Sequence, residues 1–128
     1  MRIAVDLGSA TPQYEQIRQQ VAALVVSGDL AEGDRLPTVR ALATDLGIAA
    51  GTVARAYRDL EAAGVVATRR RVGTVVTSTT RAPGRARDAA RELVALAADE
   101  GLSPRELLDL VRSELLAVSA DGGAELRA

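Results

Sequence analysis

Short amphipathic stripes at helical spacing, a glycine where the chain must reverse between two of them, and two β-rich runs flanking a cluster of arginines predict a mainly α fold with a small β wing. The expected architecture is a winged helix-turn-helix domain followed by a C-terminal helical hairpin. Five segments are expected: an N-terminal arm or short strand over 1–11, the winged domain over 12–77, a linker over 78–86, a helical dimerisation appendage over 87–119 and a disordered tail over 120–128.

Length and composition bound the function. A chain of 128 residues holds one compact domain, or a small domain with an appendage, and leaves no room for a large effector domain. It has no cysteine and no histidine, which excludes disulfides, thiolate zinc sites, thiol nucleophiles and imidazole base chemistry. An enzymatic role is not expected, nor is a cofactor or a metal. Tyr14 and Tyr57 are the only aromatic residues, so stacking platforms for single-stranded nucleic acid are missing and duplex DNA is favoured over RNA. No apolar run approaches the roughly 20 residues a bilayer requires, and MRIAVDLGSA is too short and polar for a signal peptide; a cytoplasmic protein with no membrane partner is expected. Net charge is −1, but it is unevenly spread. Between Arg35 and Arg71 seven arginines face three acids, a net +4; from Arg81 onward seven face nine, a net −2. A basic binding face joined to an acidic assembly module has this asymmetry.

Each element has its own signal. Ile3, Val5 and Leu7 alternate with polar or small residues, the pattern of a short strand or extended arm over 2–7. Thr11 and Pro12 open the first helix, with the threonine hydroxyl as acceptor for free N–H groups and Glu15 near the positive end of the dipole. Tyr14, Ile17, Val21 and Leu24 form its buried stripe, and Ser27-Gly28 ends it. DLAEGDRLP is a turn-rich connection in which Leu36 pairs briefly as a strand stub. Pro37-Thr38 starts the second helix, whose buried side is Val39, Leu42, Ala43 and Leu46, and Gly47 breaks it for a sharp reversal.

The third helix spans about residues 50–63. At 100° per residue, Val53, Ala56, Tyr57 and Leu60 point inward, while Gly51, Arg55, Arg58 and Ala62 point away. Gly64 stops it. VVATR and GTVVT are β-rich runs, and RRV between them is a hairpin tip. Such a helix suits the major groove of B-DNA, and the basic tip suits the phosphates beside it. A guanidinium offers two parallel donors that match guanine O6 and N7, or a phosphate. Arg55 is therefore the leading candidate for base readout, with Arg58 reaching phosphate; the plainer alternative is a solvated helix face in which Arg58 meets Glu61. Gly51 weakens a helix, which points either to close approach of a phosphate at the helix N-terminus or to a tolerated weak start. Arg69, Arg70 and Arg71 cannot all face one way on a strand, so at least one should miss the duplex. Tyr14 and Tyr57 are expected in the core, their hydroxyls at its polar edge.

Over residues 12–76 these motifs, YEQI in the first helix, SGDLAEGDRLPTVRALA through the second, TVARAYRDLEAAG in the third and GT in the wing, together resemble the DNA-binding domain of the GntR regulators. The PTVR run, the ARAYRDLE third helix and the short C-terminal extension are similar to the YtrA-type subgroup, a resemblance that implies a small dimeric regulator. It also implies that Arg40 approaches DNA from the second helix, that Thr52 does so from the third, and that the wing arginines skirt the minor groove. Together the candidate DNA-contacting residues are Thr38, Arg40, Ala50, Gly51, Thr52, Arg55, Arg58, Arg69, Arg70, Arg71 and Gly73. Two departures stand out. Ala49, Ala50 and Gly51 replace the serine or threonine that commonly opens the third helix, and the arginine expected straight after the TV pair is Ala54, with Arg55 one position later. One position is about 100° of helix.

Beyond Thr77, STTRAPGR is a polar hinge. A helix over about 87–99 aligns Ala89, Leu93, Leu96 and Ala97 before Glu100-Gly101 ends it. Ser103-Pro104-Arg105-Glu106 is a capping box, followed by Leu107, Leu108, Val111, Leu115 and Val118 at helical spacing. Two helices cannot bury such faces alone. Leu93, Leu96, Leu107, Leu108, Val111 and Leu115 are accordingly expected to pair with a second copy of the chain, the plainer alternative being that they fold back on the winged domain of the same chain. The resulting expectation is a homodimeric, sequence-specific transcription regulator, a repressor that binds a palindromic operator through the third helix and the wing. The alternative is a protein-interaction module with no specific operator. A small-molecule effector is a third expectation, for which no residue cluster identifies a pocket.

Overall fold

In the computed structural model, which describes residues 1–78 and 82–122, the chain runs α1 (Gln13–Ser27), α2 (Val39–Leu46), α3 (Ala50–Ala62), β1 (Val66–Arg69), β2 (Gly73–Val76), α4 (Gly84–Asp99) and α5 (Pro104–Gly122). It divides into two units, Met1–Ala82 and Pro83–Ala128.

The first unit is built on aliphatic periodicity. Ile17, Val21 and Val25 form the buried line of α1, Leu42 and Ala43 that of α2, and Val53, Ala56, Tyr57 and Leu60 that of α3. They share one core with Leu30, Leu36, Val66 and Val76. The buried line of α1 is thus a strict every-fourth-residue row, and the expected Tyr14 and Leu24 are only partly buried at its flank. Gly47 takes left-handed angles (φ 68°) and its N–H bonds back to Ala43 and Thr44, which reverses the chain between α2 and α3. Thr38 caps α2 by accepting from the Ala41 N–H at 3.1 Å.

β1 and β2 pair antiparallel, Val66 opposite Val76 and Arg69 opposite Gly73, leaving Arg70, Arg71 and Val72 as the tip. The connection before α2 lies along the other side of β2. Arg35 bridges Val75, and the Leu36 N–H bonds Thr74 O at 2.8 Å, as expected of a strand stub. Both edges of β2 are therefore occupied over this stretch, and the wing is anchored to the core rather than free.

Several expectations change. Residues 2–7 form no strand; they run along α1, where Gln16 and Gln20 take the place of a neighbouring strand. Ala4 N–H donates to Gln20 Oε1 (3.0 Å) and Asp6 N–H to Gln16 Oε1 (2.8 Å), while each amide nitrogen donates back to the Ala4 or Asp6 carbonyl. Ile3 and Val5 can then pack on the core without a sheet. α1 begins at Gln13 with Pro12 as the flanking residue and no side-chain cap, so the Thr11 hydroxyl is not the acceptor expected of it. Its carbonyl instead accepts from Gln16 Nε2 at 2.8 Å. α3 ends one residue early, at Ala62, because Gly64 (φ 77°) already turns the chain.

Tyr57 ties the helices together. Its hydroxyl donates to the Pro37 carbonyl at 2.8 Å, joining the middle of α3 to the residue before the α2 cap. Burial pushes its pKa from 10.0 up to about 12. The folded state thus favours the neutral phenol, so this contribution is fully present below pH 10 and is lost as pH rises towards 12. Discounted for solvent screening at the edge of the core, this difference corresponds to roughly 1–2 kcal/mol. The unfolding free energy should fall by about that much across this window, and denaturant titrations of Tyr57→Phe should lack this component while losing about 1 kcal/mol at neutral pH.

In the second unit α4 starts at Gly84, three residues earlier than expected, because Pro83 carries extended angles and its carbonyl accepts from the Arg87 N–H at 3.0 Å. The linker is correspondingly shorter, and its residues 79–81 lie outside the described residues. Glu100 and Gly101 end α4. The capping box forms: Ser103 N–H donates to Glu106 Oε1 at 2.9 Å and Glu106 N–H donates to Ser103 Oγ at 3.1 Å. The backbone and side-chain bonds from Ser103 hold the Glu106 carboxyl below its usual pKa. α5 continues to Gly122, past the point where a tail was expected, and residues 123–128 lie outside the described residues. The two helices are not packed side by side along their lengths. Ala97 is buried and Leu93 and Leu107 partly so, whereas Val94, Leu96, Leu108, Leu110, Leu115, Leu116 and Val118 are exposed.

Candidate nucleic-acid interface

α3 is held from behind by α1 and α2, and its inward stripe is fully used in that packing. What remains outside is Gly51, Arg55 and Arg58, spaced four and three residues apart and all exposed, with Thr52 and Ala54 partly covered. Residues at these spacings lie one above another on a helix face, so the arrangement is a narrow cationic ridge with a bare first turn.

That first turn has no side-chain cap. Ala49 sits at the cap position in extended conformation (φ −67°, ψ 139°); its side chain offers no acceptor, although its carbonyl takes the Thr52 N–H at 3.1 Å. A Cβ added at Gly51 would meet no atom within 4 Å. Gly51→Ala should therefore stabilise the free protein by about 1 kcal/mol, the ordinary helix preference. A phosphate seated against this turn would meet the new methyl, so the same variant should bind duplex DNA less tightly. Thermal melting and gel shift together check this, and a stabilised variant with unchanged affinity would place the duplex elsewhere.

Among the described residues no ion pair involves Arg40, Arg55, Arg58, Arg69, Arg70 or Arg71; the pairs present are Arg18 with Glu15, Arg91 with Asp88 and Arg112 with Asp109. The pairing of Arg58 with Glu61 does not form, because Glu61 Oε2 accepts the Thr68 N–H at 3.2 Å and so braces β1 against the end of α3. Arg40 is exposed on α2. Thr38 is committed to its cap, which leaves its hydroxyl proton as the group able to reach outward. At the wing tip Arg69, Arg70, Arg71 and Gly73 are all exposed. Arg71 is the one non-glycine residue among those described with positive φ, at 67°, a conformation disfavoured by the clash of Cβ with the following carbonyl. Val72 N–H closes the turn on Arg69 O at 3.1 Å.

Arg55 is an exception to this freedom. Its guanidinium carbon stands 3.7 Å from the centroid of the Tyr14 ring on α1. Periodicity placed Tyr14 in the core, yet it is only half-buried, since a residue in the first turn of a helix has no preceding turn to cover it. Nothing in the spacing of either residue announces the pair, which depends on how α1 crosses α3.

A buried helical scaffold presenting one cation-bearing helix face, followed by a hairpin tipped with arginines, defines a winged helix-turn-helix DNA-binding regulator of transcription. The profile of the bacterial regulatory proteins of the gntR family matches residues 13–76. The chain belongs to the GntR family, within its YtrA-type subgroup. It is 43% identical over 106 residues to the HTH-type transcriptional regulator Rv1152 of Mycobacterium tuberculosis, covering 83% of this chain and 88% of that one. It is 45% identical over 74 residues to the HTH-type transcriptional repressor YtrA of Bacillus subtilis, covering 58% of this chain and 57% of that protein. Among solved structures, YtrA of Sulfolobus acidocaldarius, a GntR-family transcription factor, aligns with a TM-score of 0.57 at 38% identity, over 74% of this chain and 97% of that one. No helix among the described residues is long and apolar enough to cross a membrane.

Proposed function

We propose that this chain is a homodimeric repressor that reads a palindromic operator by placing the first turns of α3 in the major groove of each half-site, with the wing alongside. The observation that carries the proposal is the exposed Gly51, Arg55 and Arg58 ridge, whose guanidiniums have no carboxylate partner among the described residues. Arg55 is the base-reading residue, through a bidentate contact with guanine. Ala50, Gly51 and Thr52 bring the helix N-terminus to the backbone, and Thr38, Arg40, Arg58, Arg69, Arg70, Arg71 and Gly73 hold phosphates.

The dimer forms through the second unit. Leu93, Leu96, Leu107, Leu108, Val111 and Leu115 lie in a pair of helices too short of partners to cover them, and a second copy supplies the missing apolar surface. Two-fold symmetry then sets the half-sites roughly 34 Å, or a multiple of that, apart. Repression is supported by the likeness to the Bacillus subtilis relative, which is a transcriptional repressor. The DNA upstream of the chain's own coding sequence is the first duplex to try in a gel shift. Retention of a discrete complex against excess unrelated duplex is expected, and equal competition by unrelated DNA would contradict the proposal.

A further inference from the structure

We infer that Tyr14, which lies outside the helix-turn-helix, is a positioning residue for DNA reading: its ring holds the Arg55 guanidinium in place before the duplex arrives. The inference rests on the proposed base-reading role of Arg55. Its observation is the 3.7 Å approach of the Arg55 guanidinium carbon to the Tyr14 ring centroid, across the packed junction of α1 and α3.

A guanidinium stacked on a ring gives up one face and keeps its donors free, because all five N–H groups lie in the plane of the group. Arg55 can therefore rest on Tyr14 and still offer two parallel donors to a guanine edge. Immobilising a long side chain on binding costs affinity, and a side chain already held has met part of that cost. The other candidate cations on the ridge and the wing have no such platform among the described contacts. Arg58 and the wing arginines thus suit phosphates, which accept many geometries, whereas Arg55 suits a base edge, which accepts one.

The platform also bears on the shifted arginine. At position 54 an arginine would be turned about 100° from where Arg55 stands. The place over the Tyr14 ring thus belongs to position 55 of α3.

The test uses the full chain and the duplex that the wild type enriches most from a randomised library, alongside an unrelated duplex. Tyr14→Leu should weaken the enriched duplex roughly three- to tenfold, with less than about a twofold effect on the unrelated one. Tyr14→Phe keeps the ring and should stay within about twofold of wild type. In an Arg55→Ala background Tyr14→Leu should add no further loss, since the interaction it removes is already gone. A full, additive loss in that background, or Tyr14→Phe failing as badly as Tyr14→Leu, would overturn the inference. Arg55→Ala with unaltered base preference would instead overturn the base-reading role on which it rests. A check that needs no mutant fold is the NMR shift of the Arg55 Hε and δ protons, expected upfield from the ring current; ordinary random-coil shifts would also overturn it.

Discussion

Leu108→Glu combined with Leu115→Glu should convert the proposed dimer into a monomer and remove most of its affinity for a palindromic duplex. Leu108 is 62% exposed and Leu115 52% exposed on α5, so within the chain neither is committed to a core and the double variant should still fold. Full burial of one leucine against a partner is worth roughly 1.5–3 kcal/mol, and a symmetric interface counts each side chain twice. Placing carboxylates in that surface adds the cost of desolvating charge. The consequence for DNA follows from linkage. A second half-site contact made within one dimer gains on the order of 10²- to 10⁴-fold over independent binding, and a monomer forfeits that gain. Sedimentation should show half the wild-type mass at unchanged helical content, and a single half-site duplex should be bound about as well as before. A variant that remains dimeric would assign the interface elsewhere.

Arg55→Ala and Arg71→Gly should fail in different ways. Losing a bidentate arginine–guanine contact costs roughly 1–3 kcal/mol and relaxes preference at one base position per half-site, while leaving binding to unrelated duplex nearly intact. Arg71 is held at φ 67°, where glycine is unstrained, so Arg71→Gly should stabilise the free chain by about 1 kcal/mol. The same substitution removes a charge proposed to hold phosphate. All duplexes should be bound more weakly, and the slope of log affinity against log salt should flatten by about one per protomer. A more stable protein with weaker, equally selective binding is a combination that general misfolding does not produce. Matching selectivity losses in the two variants would contradict the division between base and phosphate contacts.

Most of the scaffold was legible because aliphatic periodicity dictates it. Val53, Ala56, Tyr57 and Leu60 fall on one side of α3 by spacing alone, and Gly47 and the Ser103–Glu106 box mark boundaries through backbone chemistry that needs no tertiary context. The misread features depend on long-range geometry. Residues 2–7 alternate like a strand, but their backbone partners are the side chains of Gln16 and Gln20, which no strand pattern reveals. Glu61 looked like a helix-surface partner for Arg58, yet Thr68 of β1 offers its carboxylate an N–H across the turn. At the interface, spacing identified the outward arginines and put Arg55 first for base readout with Arg58 on phosphate, but it gave no sign of what Arg55 rests on. The difference between Arg55 and the others comes from Tyr14, 41 positions away on another helix.

The most direct measurement is parallel selection from a randomised duplex library with the wild-type chain and with Arg55→Ala, followed by sequencing. The wild type should enrich two inverted half-sites separated by about one helical turn or a multiple, with a guanine at one fixed place in each. Arg55→Ala should enrich the same inverted arrangement with that guanine no longer preferred. Enrichment of no inverted sequence by the wild type, or an identical guanine preference in both proteins, would contradict reading by the exposed face of α3.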